Sequence, residues 1–430
     1  MRIRTSARIA ATLTAVITTT LTAASAASAG TAACTGPSWS LVRTPTPPAG
    51  TSVLEFPELG ESDTAYEPSG GLESASTLSA GNAMLIGSTD PLAWDNPEQP
   101  WILHLANDKV TQTAVPVQGP VGFFGSDGSF DSSTDGWLLG EAEAPFPSTS
   151  TFLSLDNPQI PQVTEQWDGG DWTMTPVAVS PEPNTEVLSL DGIAAVSPDD
   201  AWAVGTTYMA KGRGSLLGAL IEQWDGTSWN IVPNPASSQP AVLTTLSVVS
   251  ADNIWAVGYQ DTTGKNQAPF VEHYDGTQWS ALPTPPVSAG DQYAELDAVS
   301  VDSSGNVWAA GYQQPASNKS AARSPLTEQW NGSTWTQAQL PALPAGESIS
   351  SVYAASPSDV WASTDASSSA TGTGVFLNWN GSTWTPVAMP GPKEYGLNYT
   401  YPAITGTGPT DVWAAGYSSI APQIARLSCS

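Results

Sequence analysis

The sequence predicts an all-β fold, a seven-bladed β-propeller of four-stranded blades, and three observations carry that reading. A tryptophan-centred phrase recurs at a fixed spacing. An Asp-Gly or Asn-Gly hairpin phrase follows each copy. The last unit lacks its fourth strand, and the first strand-like segment of the chain supplies it.

The first phrase reads Asp200-Ala-Trp202-Ala-Val-Gly205, Asn253-Ile-Trp255-Ala-Val-Gly258, Asn306-Val-Trp308-Ala-Ala-Gly311, Asp359-Val-Trp361-Ala-Ser363 and Asp411-Val-Trp413-Ala-Ala-Gly416. Successive tryptophans lie 53, 53, 53 and 52 residues apart. Asp135-Gly-Trp137-Leu-Leu-Gly140 is a fainter copy, and Asn82-Ala-Met84-Leu-Ile-Gly87 a fainter one still, 53 residues earlier. Seven units of this length match propeller blades.

The second phrase reads Trp167-Asp-Gly-Gly-Asp-Trp172, Trp224-Asp-Gly-Thr-Ser-Trp229, Tyr274-Asp-Gly-Thr-Gln-Trp279, Trp330-Asn-Gly-Ser-Thr-Trp335 and Trp379-Asn-Gly-Ser-Thr-Trp384. Asp-Gly or Asn-Gly between apolar strands marks a hairpin, because the turn needs positive φ. Proline-rich text such as Val232-Pro-Asn-Pro235 then ends the strand. One unit thus reads as strands at 246–250, 254–260, 270–274 and 278–282. No segment shows a helical period.

The ends of the chain complement each other. Ile424-Ala-Arg-Leu427 reads as the third strand of the last unit, after which the chain stops at Ser430. Ser38-Trp39-Ser-Leu-Val-Arg-Thr-Pro45 matches Ser228-Trp229-Asn-Ile-Val-Pro-Asn-Pro235, so the N-terminal strand is expected to complete the C-terminal blade. Cys34 and Cys429, the two cysteines, then fall where other blades have the third-to-fourth-strand turn, and a disulfide is expected there. Its loop of 395 residue steps scales to about 5 kcal/mol of chain entropy.

Residues 1–29 read as a secretory signal peptide: Arg2, Arg4 and Arg8, an apolar stretch, then Ala27-Ser28-Ala29. Residues 30–430 are expected to form one propeller domain, secreted, extracellular and monomeric. A lipid anchor at Cys34 is a second reading, although Thr31 stands where such signals carry a Leu-like residue. The chain carries −28, with 12 basic and 40 acidic residues, and three of the basic ones lie in the signal. The remainder, at −31, excludes nucleic acid and anionic membrane partners. No segment is apolar enough for membrane insertion.

These phrases resemble those of secreted, chiefly actinobacterial propeller repeats described as kelch-like, galactose-oxidase-like or sialidase-repeat-like. The resemblance implies the architecture over residues 34–429 and leaves activity open.

Most conspicuous residues belong to the repeat. Sixteen of the 18 tryptophans occupy three strand registers, where packing between blades accounts for them. Glu165, Glu222, Glu272 and Glu328 share one register, so no two face each other across a glycosidic bond. His104 and His273, the two histidines, share the register of Gln166, Gln223, Gln329 and Asn378. That leaves no copper, zinc or Ser-His-Asp site. The arginines Arg43, Arg213, Arg323 and Arg426 form no sialidase-type cluster. No cofactor is expected. The acidic stretch 55–67 is read as solvated, since it lacks a Ca²⁺-loop spacing.

The second-to-third-strand loops and blade connections share one face and vary from blade to blade. They and the adjoining strand ends hold Tyr208, Lys211, Arg213, Tyr259, Lys265, Tyr312, Arg323, Tyr399 and Tyr417, the candidate ligand-binding residues. The reading is a binding propeller for a glycan or an extracellular protein. A polysaccharide lyase or glycoside hydrolase, and an envelope scaffold with no small ligand, are the alternatives.

Overall fold

The alternation in each phrase becomes, in a computed structural model of the chain, seven separate four-stranded antiparallel sheets. The structure describes residues 37–42, 71–89, 99–107, 109–113, 122–143, 162–178, 185–211, 214–237, 239–261, 266–286, 292–315, 322–365, 374–391, 399–418 and 421–429. Every regular element among them is a strand. The inner strands begin at Gly71, Gly122, Thr185, Ala241, Gln292, Ser348 and Tyr399, defining blades 1 to 7. Each inner strand touches the next, and that of blade 7 touches that of blade 1, so the sheets form a ring. Blade 4 is representative, with strands Ala241–Ser250, Asn253–Asp261, Gln267–Tyr274 and Trp279–Leu282. Met84 sits opposite His104 as Trp255 sits opposite His273, which places the faint first unit in register. The Asp-Gly turns are tight hairpins, with Gly226 and Gly276 both at φ 86. Asn107 at φ 52 takes that role in blade 1.

The outer strand of blade 7 is the N-terminal Ser38–Val42, paired antiparallel with Ala421–Ser428. Tryptophan packing repeats the same closure. The second-strand tryptophan of one blade meets the outer-strand tryptophan of the next: Trp137 with Trp229, Trp202 with Trp279, Trp255 with Trp335, and Trp308 with Trp384. The series ends with Trp361 against Trp39, ring centroids 5.3 Å apart at 83°. The seam is thus packed like the covalently continuous interfaces.

Near the axis the blades are tied by hydroxyls. Ser76 Oγ accepts the Phe130 N–H, Ser129 Oγ that of Ala195, Ser300 Oγ that of Ala354 and Ser351 Oγ that of Ile404. These bonds satisfy inner-strand groups that have no ladder partner on the channel side.

Every inner strand bulges at one register, between Leu72 and Ser74, Gly125 and Asp127, Leu190 and Gly192, Leu243 and Thr245, Leu296 and Ala298, Ile349 and Ser351, and Thr400 and Ala403. The bulge drives a carbonyl against the second strand. A Cβ on Gly205, Gly258, Gly311 or Gly416 would overlap the carbonyl oxygen of Ser189, Val242, Glu295 or Thr400. This is the physical reason for the glycine of the first phrase. The bulge also breaks the period-two pattern, so the blade 4 inner strand starts at Ala241 rather than at the expected Leu246.

Gly258→Ala is expected to destabilise the protein by about 1–3 kcal/mol, the usual cost of overpacking. Denaturant unfolding measures it. An unchanged midpoint would remove the bulge as the reason for that glycine.

Candidate functional site

The repeated polar registers serve the scaffold. Glu165, Glu222, Glu272 and Glu328 are each buried to 1% exposure or less. The Ala178 N–H donates to Glu222 Oε2 at 3.0 Å, and the Ala236 N–H donates to Glu272 Oε1 at 3.1 Å. Both amides belong to connectors leaving the preceding blade, which the glutamates pin. Burial pushes Glu165, Glu222 and Glu272 up to about 7 and Glu328 up to about 8. In the polar register of the third strand, Gln223 donates to Asp200 Oδ1 at 3.0 Å and Asn378 to Asp359 Oδ1 at 2.9 Å. His273 Nε2 reaches Asn253 Oδ1 at 2.8 Å, and His104 Nε2 reaches Asn82 Oδ1 at 2.7 Å. Both histidines therefore hold a strand start in place. Hairpin Asp225 and Asp275 each accept two backbone N–H groups and a threonine hydroxyl, which lowers both to about 2.

One residue beyond the second-strand glycine, at the mouth of the channel, the register is tyrosine in blades 4, 5 and 7 and differs in the others. The cross-strand pairs there are Gly71 with Ser88, Ser189 with Thr206, Val242 with Tyr259, Glu295 with Tyr312, Ser348 with Asp365 and Thr400 with Tyr417. In blade 5 this register builds a constellation. The Tyr312 hydroxyl donates to Glu295 Oε2 at 2.8 Å. The Arg323 guanidinium lies over the Tyr312 ring, 4.0 Å from its centroid. Burial and then Glu295 push the bulge residue Asp297 up to about 7, against the pull of Arg323. Glu295 is itself raised by burial, with Tyr312 and Arg323 opposing.

Neighbouring blades extend the patch. Half-buried Tyr259 of blade 4 is made less acidic by burial and by Glu295, Asp191 and Asp261. Asp191, the bulge residue of blade 3, is open to the channel at its surface, yet its close surroundings lift it to about 6. Across the ring, Tyr417 is 39% exposed and packs where a Gly71 side chain would stand, beside Glu73 and Asp365.

Of the residues singled out from sequence, Tyr259, Tyr312 and Arg323 therefore share one site on blades 4 and 5. Tyr417 is separate, at the blade 7–blade 1 junction. Tyr208 is 37% exposed opposite Leu217 on the extended blade 3 hairpin. Arg213 and Lys265 lie outside the described residues, as do the side chains of Lys211 and Tyr399. Glu295, Asp297 and Asp191 were not anticipated, being single carboxylates in inner strands; their signal was the bulge register itself. A second concavity of 510 Å³, between the connectors leaving blades 3 and 4, is walled by Pro235, Phe270, Pro283, Pro285 and Pro286 and holds no charged group. Among the described residues no cluster of three His, Cys, Asp or Glu side chains fits a metal ion.

No protein-family model and no curated protein matches the chain. Solved structures of similar fold include YCF48 bound to D1 peptide, at 12% identity, TM-score 0.48, covering 84% of this chain and 93% of that one. A polysaccharide lyase of the PL25 ulvan lyase family matches at 10% identity, TM-score 0.49, covering 84% and 94%. The β-propeller domain of the Trilobed protease from Pyrococcus furiosus matches at 10% identity, TM-score 0.46, covering 84% and 94%. The likeness is one of fold.

The buried glutamates set a pH dependence. Their folded-state pKa values exceed the unfolded 4.5, so the native state binds more protons between about pH 4.5 and 8. Stability is greatest below that window and falls as pH rises through it. Shifts of this size correspond to about 3–5 kcal/mol per glutamate across the window. Thermal unfolding should occur higher at pH 5 than at pH 8, and Glu272→Gln should stabilise at pH 8 but not at pH 5. A flat profile would contradict the neutral-acid assignment.

Proposed function

We propose that the chain is an exported binding propeller that holds a glycan or an extracellular protein segment at its channel mouth, centred on Tyr259, Glu295, Tyr312 and Arg323. One observation carries the reading: a tyrosine hydroxyl bonded to a carboxylate with a guanidinium on its ring, at a register where the tyrosines of blades 4 and 7 face Val242 and Thr400 instead of a glutamate. A single ligand breaks the ring's pseudo-symmetry, so its site is built from unrepeated residues. The signal-like N-terminus supports export. Cys429, in the closing blade, is in a disulfide, and Cys34 is the only other cysteine. The Cys34–Cys429 bond is part of the proposal, and intact mass under non-reducing conditions with no free thiol is its check.

Tyr312 is not poised to act as a general base. A tyrosine base needs a lowered pKa; burial and Glu295 raise this one beyond its ordinary range.

Ligand screening by glycan array and by peptide pull-down from the extracellular medium should yield a ligand. Its affinity should fall about tenfold with Arg323→Ala, the loss of one or two charged hydrogen bonds, at an unchanged melting temperature. A ligand indifferent to Arg323→Ala and Tyr312→Phe would place the site elsewhere.

A further inference from the structure

The charge pattern at the mouth narrows the ligand class, on the assumption that the binding reading above holds. We infer that this site recognises adjacent hydroxyl groups of a neutral sugar, through the N–H donors of Arg323 and the carboxylates of Glu295 and Asp297, and does not take an acidic glycan.

The Arg323 guanidinium carbon lies over the Tyr312 ring, 4.0 Å from its centroid. The ring occupies one side of the guanidinium, and the N–H donors it does not cover remain for a ligand. Among the described residues no carboxylate closes an ion pair on Arg323, although its charge favours ionisation of both Glu295 and Asp297. Glu295 spends one lone pair on the Tyr312 hydroxyl and retains others as acceptors. Donors and acceptors thus stand side by side, the carboxylates on the inner strand and Arg323 just before the third strand. A hydroxyl group is both donor and acceptor: it accepts from the guanidinium and donates to a carboxylate. Two neighbouring hydroxyls on a sugar ring satisfy both at once. Tyr259, half-buried in the adjoining blade, adds an apolar ring to the patch.

A uronate fits this site poorly. Its carboxylate would join Glu295, Asp297, Asp191 and Asp261 with one guanidinium to offset them, in a chain of net charge −28. An ammonium group, which is a donor only, offers no acceptor to the Arg323 N–H groups.

The test is calorimetric titration of the full exported chain with three probe sets at low and high salt. The sets are neutral gluco-, manno- and xylo-oligosaccharides, oligogalacturonate, and chitosan oligomers. The expected result is binding of a neutral oligosaccharide whose affinity changes less than about twofold with salt. Arg323→Ala and Arg323→Lys should each weaken it about tenfold or more, because an ammonium lacks the planar fork. Tyr312→Phe, which removes only the hydroxyl, should weaken it less. Melting temperatures confirm that each variant folds. Arg323-dependent binding of oligogalacturonate, chitosan or only a peptide would overturn the neutral-sugar inference and leave the binding site in place. Binding of no probe would also overturn it. Neutral-sugar binding that ignores Arg323→Ala would remove both the inference and the site.

Discussion

The fold depends on one contact: the second-strand tryptophan of a blade seated against the outer-strand tryptophan of the next. No single blade can bury its own indole. Trp202, at 1% exposure, is covered from blade 4 by Tyr274 and Trp279, and Trp308 from blade 6 by Trp379 and Trp384. Each blade is thus both lid and base, and stability passes around the ring as nearest-neighbour terms. An incomplete last blade would leave Trp361 uncovered, because Trp39 of the N-terminal strand is what covers it there. That requirement accounts for the pairing of the N-terminal strand Ser38–Val42 with Ala421–Ser428.

A second constraint separates scaffold from site. The inner-strand bulge presses a carbonyl onto the second strand and admits only glycine at Gly205, Gly258, Gly311 and Gly416. Below this point each position answers to a neighbouring blade and repeats. Above it the register varies, with Ser88, Thr206 and Asp365 in three blades and Tyr259, Tyr312 and Tyr417 in three others. The polar constellation of blade 5 is anchored one residue past a fully constrained glycine. A rigid base therefore positions Tyr312 and Glu295, with no dependence on a long loop.

What was legible in the sequence follows from this division. Blade number, strand pairing and the seam were readable because tryptophans and Asp-Gly turns mark registers that every blade must satisfy, and Met84 was placed by spacing alone. The roles of Glu222 and His273 as scaffold groups were readable for the same reason. The upper halves of the inner strands were not, because the bulge inverts the face of each residue beyond it and erases the alternation. Asp191 and Asp297 sit at that bulge, so their approach to Tyr259 and Tyr312 left no periodic trace. Tyr259, Tyr312 and Tyr417 share one register after the second-strand glycine, and nothing in the sequence told which of them meets Arg323; Tyr417 and Tyr208 lie apart from that site.

Ring closure by complementary ends is the claim on which the remainder rests, and hydrogen exchange of the Trp39→Ala protein tests it most directly. Removing that indole uncovers Trp361 and Phe376 of blade 6, on which the N-terminal strand packs. Protection should be lost first in the third strand of blade 7 and the second strand of blade 6, on the two sides of the seam, with blades 2 to 5 unchanged. Retained protection at the seam, or uniform loss around the ring, would contradict the account.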